Sequence, residues 1–224
     1  MKSRRSPTSK DIEKALGLKF KNKKLLQKAL THSSAVPDSP EASNETLEFL
    51  GDAVLELVVR EFLIEKHPGA EEGRLNQLKK RYTSEEALYR LGKTLGLGNF
   101  LILDRGEELT GGRERASNIS GCLEALIGAL YLDQGFSYTK EFLKKILLNK
   151  KFRLPRDYKS LLNEWAMKHK KTVKYIVTQE QGLPHDKTFF VELFIDEQSV
   201  AQGKGKSKKE AEQDAARKFM RHKE

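Results

Sequence analysis

Cysteine and tryptophan are almost missing: 224 residues contain one of each, Cys122 and Trp165. A lone cysteine cannot close an intramolecular disulfide, and no Cys/His cluster has the spacing of a zinc site, so a disulfide scaffold and a structural zinc are both excluded. Among apolar neighbours, Cys122 reads as a small core residue rather than a catalytic thiol. Long apolar runs are also lacking, and none reaches the roughly 18 residues that span a bilayer. The opening MKSRRSPTSK is basic but has no apolar stretch of the signal-peptide kind. The expectation is a cytoplasmic protein with no membrane partner. Acidic residues are in the minority, 32 against 42 Lys and Arg, which leaves a net charge of +10 and a pI near 9.5. Such a balance favours a polyanionic partner.

Hydrophobic residues make up 38% of the chain, enough for a real core in one large domain or two ordinary ones. From about Thr8 to Phe142 apolar residues recur at helical spacing between breakers such as Pro37, Pro40, Pro68 to Gly69 and Gly111 to Gly112. Nothing in this region alternates long enough to read as a strand. After Phe142 the chain turns basic and polar, and NKKFRLPRD (149–157) marks a linker. Beyond it the pattern predicts a helix through Leu161, Leu162 and Trp165, strands near 173–179, 189–195 and 199–203, and a helix over 208–221. The expected fold is therefore an all-α domain (1–150), a linker (151–156) and a small α+β domain (157–224) with the order α-β-β-β-α. From Lys151 onward there are 17 basic and 11 acidic residues, so the smaller domain holds most of the basic excess.

In NETLEFLGDAVLE (44–56), Glu45, Glu48 and Asp52 follow one another at spacings of three and four, which places them on one helix face. Apolar Leu47, Phe49, Leu50, Val54, Leu55 and Val58 surround them, so the acids are expected close to the core. Aligned carboxylates repel one another, and a divalent cation would relieve the repulsion. A solvated acidic face is the plain alternative, and spacing alone leaves the two open. The apolar segment NISGCLEALIGALYLD (118–133) adds a lone acid, Glu124, amid Leu123, Leu126, Ile127 and Leu130. A carboxylate in such surroundings needs a partner. Packing the two helices together would bring it to Glu48 and Asp52 as an oxygen-lined metal site of the kind that hydrolyses phosphodiesters.

NETLEFLGDAVLEL and GGRERASNISGCLEALIGALYLDQG resemble the two catalytic segments of the ribonuclease III family, and with LTHSS (30–34) the likeness runs from about Asp11 to the C-terminus. The resemblance implies that Glu48, Asp52 and Glu124 are metal ligands, with Asp52 and Glu124 catalytic. Glu45 and Glu72 match acidic positions that help shape the cleavage site, Glu45 grouped with the catalytic set and Glu72 with the RNA contacts. Phe49 matches an aromatic that inserts into a partner subunit, against the simpler reading of core packing. One position departs from the family: Gly121 stands where an Asp metal ligand is usual. On a helix it faces the same way as Glu124, so its lack of a carboxylate should weaken magnesium binding, with water on Ser120 or Asn118 filling the place.

In the second domain, GKGKSKKEAEQDAA (203–216) sets Lys206, Lys208 and Lys209 around a helix start, where backbone NH groups already attract phosphate. On its own the run reads as a solvated basic face. Its surroundings, DYKSLLNEW (157–165), GLPH (182–185) and the lysine helix, resemble a double-stranded-RNA-binding domain. That resemblance implies minor-groove contacts from Asn163, Glu164 and His185 and phosphate contacts from the three lysines. Trp165 reads as core, and His32 as structural. The family further implies a homodimer that cuts duplex RNA with magnesium, or manganese in its place, leaving 5′-phosphate and 3′-hydroxyl ends with short 3′ overhangs, in the processing of ribosomal RNA precursors and other structured transcripts. A binder of the same fold, its hydrolysis impaired through Gly121, stays open at this point.

Overall fold

The computed structural model describes residues 9–148, 157–183 and 187–221. It divides into two compact units, Met1–Pro155 and Arg156–Glu224. The linker expected over 151–156 and the loop residue His185 lie outside the described residues.

The first unit is helical, in the order α1 (Ser9–Leu16), α2 (Lys23–Leu30), α3 (Glu45–Lys66), α4 (Glu72–Thr83), α5 (Glu85–Thr94), α6 (Arg105–Leu109), α7 (Ala116–Gln134) and α8 (Phe136–Ile146), with short 3-10 turns between. Local chemistry sets several of the helix starts. Asn22, Ser84 and Asp104 each cap a helix by accepting from a first-turn backbone NH. Glu45 and Glu48 sit in the first turn of α3, and Lys66 in its last, each complementing the helix dipole.

α7 is the axis of this unit. Apart from Glu124 it carries no charge until Asp133, and its residues from Asn118 to Leu130 are buried with the sole exception of Glu124. A helix apolar on all sides must be covered all round, and α2, α3, α5 and α8 do so. The Asp133 carboxylate accepts from the Lys21 and Asn22 backbone amides at 2.8 and 2.7 Å, tying the far end of α7 to the start of α2.

α3 lies against α7 more closely than side chains would permit. A methyl group on Gly51 would overlap the Glu124 carbonyl oxygen, and one on Gly128 would overlap the Leu47 carbonyl oxygen. The two backbones are thus in direct contact across a glycine seam. Around it Leu47, Val54, Leu55, Val58, Leu123, Leu126, Ile127 and Leu130 interlock as core.

The second unit is α9 (Tyr158–Lys168), an antiparallel sheet of β1 (Val173–Gln181), β2 (Thr188–Ile195) and β3 (Gln198–Gly205) in that order, and α10 (Lys208–Arg221). The α-β-β-β-α order is the one expected. The buried face of β2, Val191, Leu193 and Ile195, keeps strand period, and Leu193 and Ile195 form one core with Leu162 of α9 and Ala215, Ala216 and Phe219 of α10. Trp165, expected in the core, is partly buried and packs edge-on against Phe219 at 5.1 Å at the core's edge. Asp157 starts α9 by accepting from the Ser160 amide, and the same Asp157 Oδ1 accepts from Gln213 of α10 at 2.7 Å.

The glycine seam generates a stability prediction. Gly51→Ala should destabilise the protein by about 1–3 kcal/mol through overpacking. Gly73→Ala on α4, where an added methyl meets nothing within 4 Å, should be neutral or gain up to about 1 kcal/mol from helix propensity. Urea unfolding of both variants checks this, and equal stabilities would mean that α3 and α7 are not in backbone contact at Gly51.

Candidate active site and nucleic-acid interface

The seam decides where the acids lie. Gly51 abuts the peptide of Glu124, and the charges of Glu48, three residues before it on α3, and of Asp52, directly after it, both act on the Glu124 carboxyl. Glu48 and Glu124 are half-buried, whereas Glu45 and Asp52 are exposed. The expectation that all the acids would lie close to the core thus holds for only part of the stripe. The reason is helical phase: α3 turns Leu47, Gly51, Val54, Leu55 and Val58 inward, leaving Glu48 at the edge of that face and Asp52 outside it.

Electrostatic coupling joins the group. Burial pushes the Glu124 carboxyl up to about 8, with the charges of Asp52, Glu48 and Glu85 adding to the effect. Burial also raises Glu48, helped by Glu45 and Asp52. Glu85, in the first turn of α5, was not legible as part of this group. Its position in a helix start is explained by the dipole, and only the packing of α5 on α7 brings its charge to Glu124. Glu72 stands exposed in the first turn of α4, where its carboxylate accepts from Asn76 at 3.4 Å.

Among the described residues no three Asp, Glu, His or Cys side chains close into a ready-made metal cage. The carboxylates instead line a seam, and their donor chemistry still suits a hard cation. All are oxygen donors, two are half-buried, and no described cationic side chain pairs with Glu48, Asp52 or Glu124. Magnesium needs only a few carboxylates because it keeps several of its waters.

Around position 121 the two polar residues expected to hold water already have protein partners. Ser120 is buried and donates to the Ser117 carbonyl, while buried Asn118 donates to Glu107 and to the Gly112 carbonyl. Glu107 is also paired with Arg115, so this network staples the start of α7. The Glu48 carboxylate itself lies over Gly121. Cys122 is fully buried, and burial pushes its thiol up to about 12, which disposes of a nucleophilic role. His32 accepts from the Ser34 amide as the cap of a 3-10 turn, a structural task.

Phe49 points away from this core. It is 84% exposed, so core packing is excluded, and an exposed phenylalanine beside the carboxylates is available to another molecule.

In the second unit Asn163 is exposed and Glu164 half-buried on α9, between the inward-facing Leu162 and Ala166. Lys206, Lys208 and Lys209 are all exposed at the start of α10. That start is fixed by Ser207, which accepts from the Glu210 amide, while the Glu210 carboxylate accepts from the Lys206 amide at 2.8 Å. Lys208 is partly engaged already, 3.4 Å from Glu180 and with its ammonium 5.8 Å from the Phe189 ring.

These arrangements match known proteins in both units. Residues 22–151 fit the ribonuclease-III-like family and residues 158–223 the double-stranded RNA binding motif. Ribonuclease 3 of Bacillus cytotoxicus is 42% identical over 218 residues, covering 94% of this chain and 89% of that protein. Ribonuclease 3 of Bdellovibrio bacteriovorus is 43% identical over 217 residues, 93% of each chain. The solved nuclease domain of ribonuclease III from Campylobacter jejuni, described for flexibility in a region involved in dimer formation, superposes with a TM-score of 0.57 at 39% identity, covering 62% of this chain and 97% of that one. The family's nucleases depend on a metal ion. With a helical nuclease unit, carboxylates gathered on its central helix pair and an RNA-binding unit after it, this chain belongs to the ribonuclease III family.

Proposed function

We propose that the chain is a magnesium-dependent endoribonuclease specific for double-stranded RNA, with a nuclease domain over 1–150, a linker at 151–156 and an RNA-binding domain over 157–224. The observation that carries the reading is the meeting of Glu48 and Asp52 of α3 with Glu124 of α7 in a half-buried group that no described cation neutralises. Glu48, Asp52 and Glu124 would hold magnesium, or manganese in its place, with Glu45 and Glu72 shaping the cleavage valley. When bound, the cation supplies stabilisation for charge building on the phosphate and makes the attacking water easier to deprotonate. The chain's own work is to hold the carboxylates on a rigid helix crossing and to keep Glu124 in a partly desolvated position where electrostatic interactions are strong.

One nuclease domain cuts one strand, so a duplex calls for two. Exposed Phe49 beside the acids is the anchor we assign to a homodimer. Asn163, Glu164 and His185 are assigned to the minor groove, and Lys206, Lys208 and Lys209 to phosphates. The products would be 5′-phosphate and 3′-hydroxyl ends with short 3′ overhangs, and the substrates structured transcripts, ribosomal RNA precursors among them, in the cytoplasm. No helix of the described residues is long and apolar enough to cross a membrane.

Incubating the full chain with a labelled RNA hairpin tests the reading. Cleavage should require magnesium, and Glu124→Gln should abolish it while leaving the gel shift in EDTA intact. A protein that shifts the hairpin but leaves it whole at every magnesium concentration is a binder, and the nuclease reading fails.

The lysines generate a graded prediction. Replacing all three by Ala should weaken binding and reduce the log-log salt slope by roughly 0.7 to 0.9 per lost phosphate contact. Since a phosphate must compete with Glu180 for Lys208, Lys208→Ala should cost less affinity than Lys209→Ala. An unchanged salt slope in the triple variant would remove this surface from the interface.

The raised carboxyls also predict a pH dependence. A carboxyl whose pKa is raised by folding binds its proton more tightly in the folded state. Between the unfolded value of about 4.3 and the folded value, stability therefore falls as pH rises. For Glu124 this window ends at about 8. Ion-paired carboxylates with lowered pKa, such as Glu13 and Glu56, act on the acid side of it. In EDTA the melting temperature should fall across that window, and Glu124→Gln should flatten the slope and raise the value at its alkaline end. Melting curves of the two proteins that stay parallel would show that Glu124 is not the strained carboxyl.

A further inference from the structure

One amide side chain ties together the two helices that carry the RNA contacts of the second unit. Gln213, half-buried on α10, donates through Nε2 to Asp157 Oδ1 at 2.7 Å and accepts through Oε1 from the Lys159 backbone amide at 3.3 Å. Asp157 is the cap of α9, and the same Oδ1 accepts from the Ser160 amide. The bridge has a fixed polarity: a backbone NH only donates and a carboxylate only accepts, so an amide is the side chain whose two ends suit both. Beside it the Lys159 ammonium pairs with Glu212 and stands 4.9 Å from the centre of the Tyr175 ring. Further along both helices Trp165 of α9 meets Phe219 of α10. Two points of attachment fix how one helix lies along another, and Gln213 is the point nearer the RNA contacts.

On each helix the bridge stands one turn from an RNA contact. Asn163 follows Lys159 by four residues and Lys209 precedes Gln213 by four, so each shares a face with its neighbour in the bridge, roughly 6 Å away along the axis. A-form duplex is recognised by shape, through 2′-hydroxyls of the minor groove and phosphates across the major groove. Contacts divided between two helices serve that recognition only while the spacing between the helices is held. We propose that Gln213 is a positioning residue that sets the register of α9 against the lysine-bearing start of α10, and with it the preference for RNA duplex over DNA duplex. The inference rests on the assignment of Asn163 and Glu164 to the minor groove and of the three lysines to phosphates. With the bridge broken, the lysines still meet phosphates on either duplex, while α9 no longer reaches the 2′-hydroxyls that RNA alone offers.

The test is equilibrium binding of the full chain, in EDTA and well below its melting temperature, to an RNA hairpin and a DNA hairpin of the same sequence across a salt series. Gln213→Met keeps the bulk and the helix propensity while removing both bonds. It should lower RNA affinity by about tenfold, the equivalent of one or two groove hydrogen bonds lost. DNA affinity and the salt slope should stay as in the wild type, because no phosphate contact is removed. Gln213→Glu sets a carboxylate against Asp157 and should show the same loss at neutral pH. As pH falls and the pair takes up one proton, the protonated carboxyl donates and accepts as the amide does, so this variant should regain its RNA preference relative to the wild type at the same pH. Wild-type RNA affinity in Gln213→Met, equal losses on RNA and DNA, a smaller salt slope, or a Gln213→Glu variant whose deficit does not change with pH would each overturn the register role. Should Gln213→Met fail to fold, the pH series on Gln213→Glu decides alone. Asn163→Ala reports on the underlying assignment. An unchanged RNA preference there brings down the minor-groove reading and the inference with it, whereas a lost preference there beside wild-type behaviour in Gln213→Met brings down the register role alone.

Discussion

Backbone contact between α3 and α7 is the constraint on which the rest of this protein depends. Two helices with ordinary side chains between them lie 8–10 Å apart, and at that distance short acidic side chains on their edges would face separate patches of solvent. Gly51 and Gly128 remove the side chains at the crossing and let each helix rest on the other's carbonyls. Glu48, Asp52 and Glu124 then fall into one electrostatic neighbourhood, and Glu124 is raised to about 8, by burial first and by the charges of Asp52, Glu48 and Glu85 after it. The cost of holding like charges together is met by the large apolar interface on both sides of the seam, where Val54, Leu55, Val58, Leu126, Ile127 and Leu130 are buried.

The arrangement also divides labour between burial and exposure. Glu48 and Glu124 are half-desolvated and held by helices that cannot shift, while Asp52 and Glu45 remain open to solvent and to a substrate phosphate. A site made only of buried acids would hold protons in place of a cation, and one made only of exposed acids would bind a cation loosely. In the second unit the same logic runs in reverse. Lys206, Lys208 and Lys209 lie on the surface at a capped helix start, with Lys208 tempered by Glu180. That suits recognition of a phosphate backbone by shape and charge, not by base.

Much of this was written in the sequence. The spacing of Glu45, Glu48 and Asp52 placed them on one face because a helix has a fixed period. The lone charge of Glu124 in an apolar helix marked it as needing a partner, and the alternation around Val191, Leu193 and Ile195 marked the buried strand. All of these are local regularities, and local geometry suffices to read them. Two things were not legible: that Glu85 acts on Glu124, and that the Glu48 carboxylate lies against Gly121. Each depends on which surfaces of distant segments meet and how closely. That distance is set by the size of the residues at a crossing, here Gly51 against Glu124 and Gly128 against Leu47, whose partners lie some seventy to eighty positions away along the chain. Periodicity fixes which way a side chain faces on its own helix; only the packed tertiary structure decides what it faces.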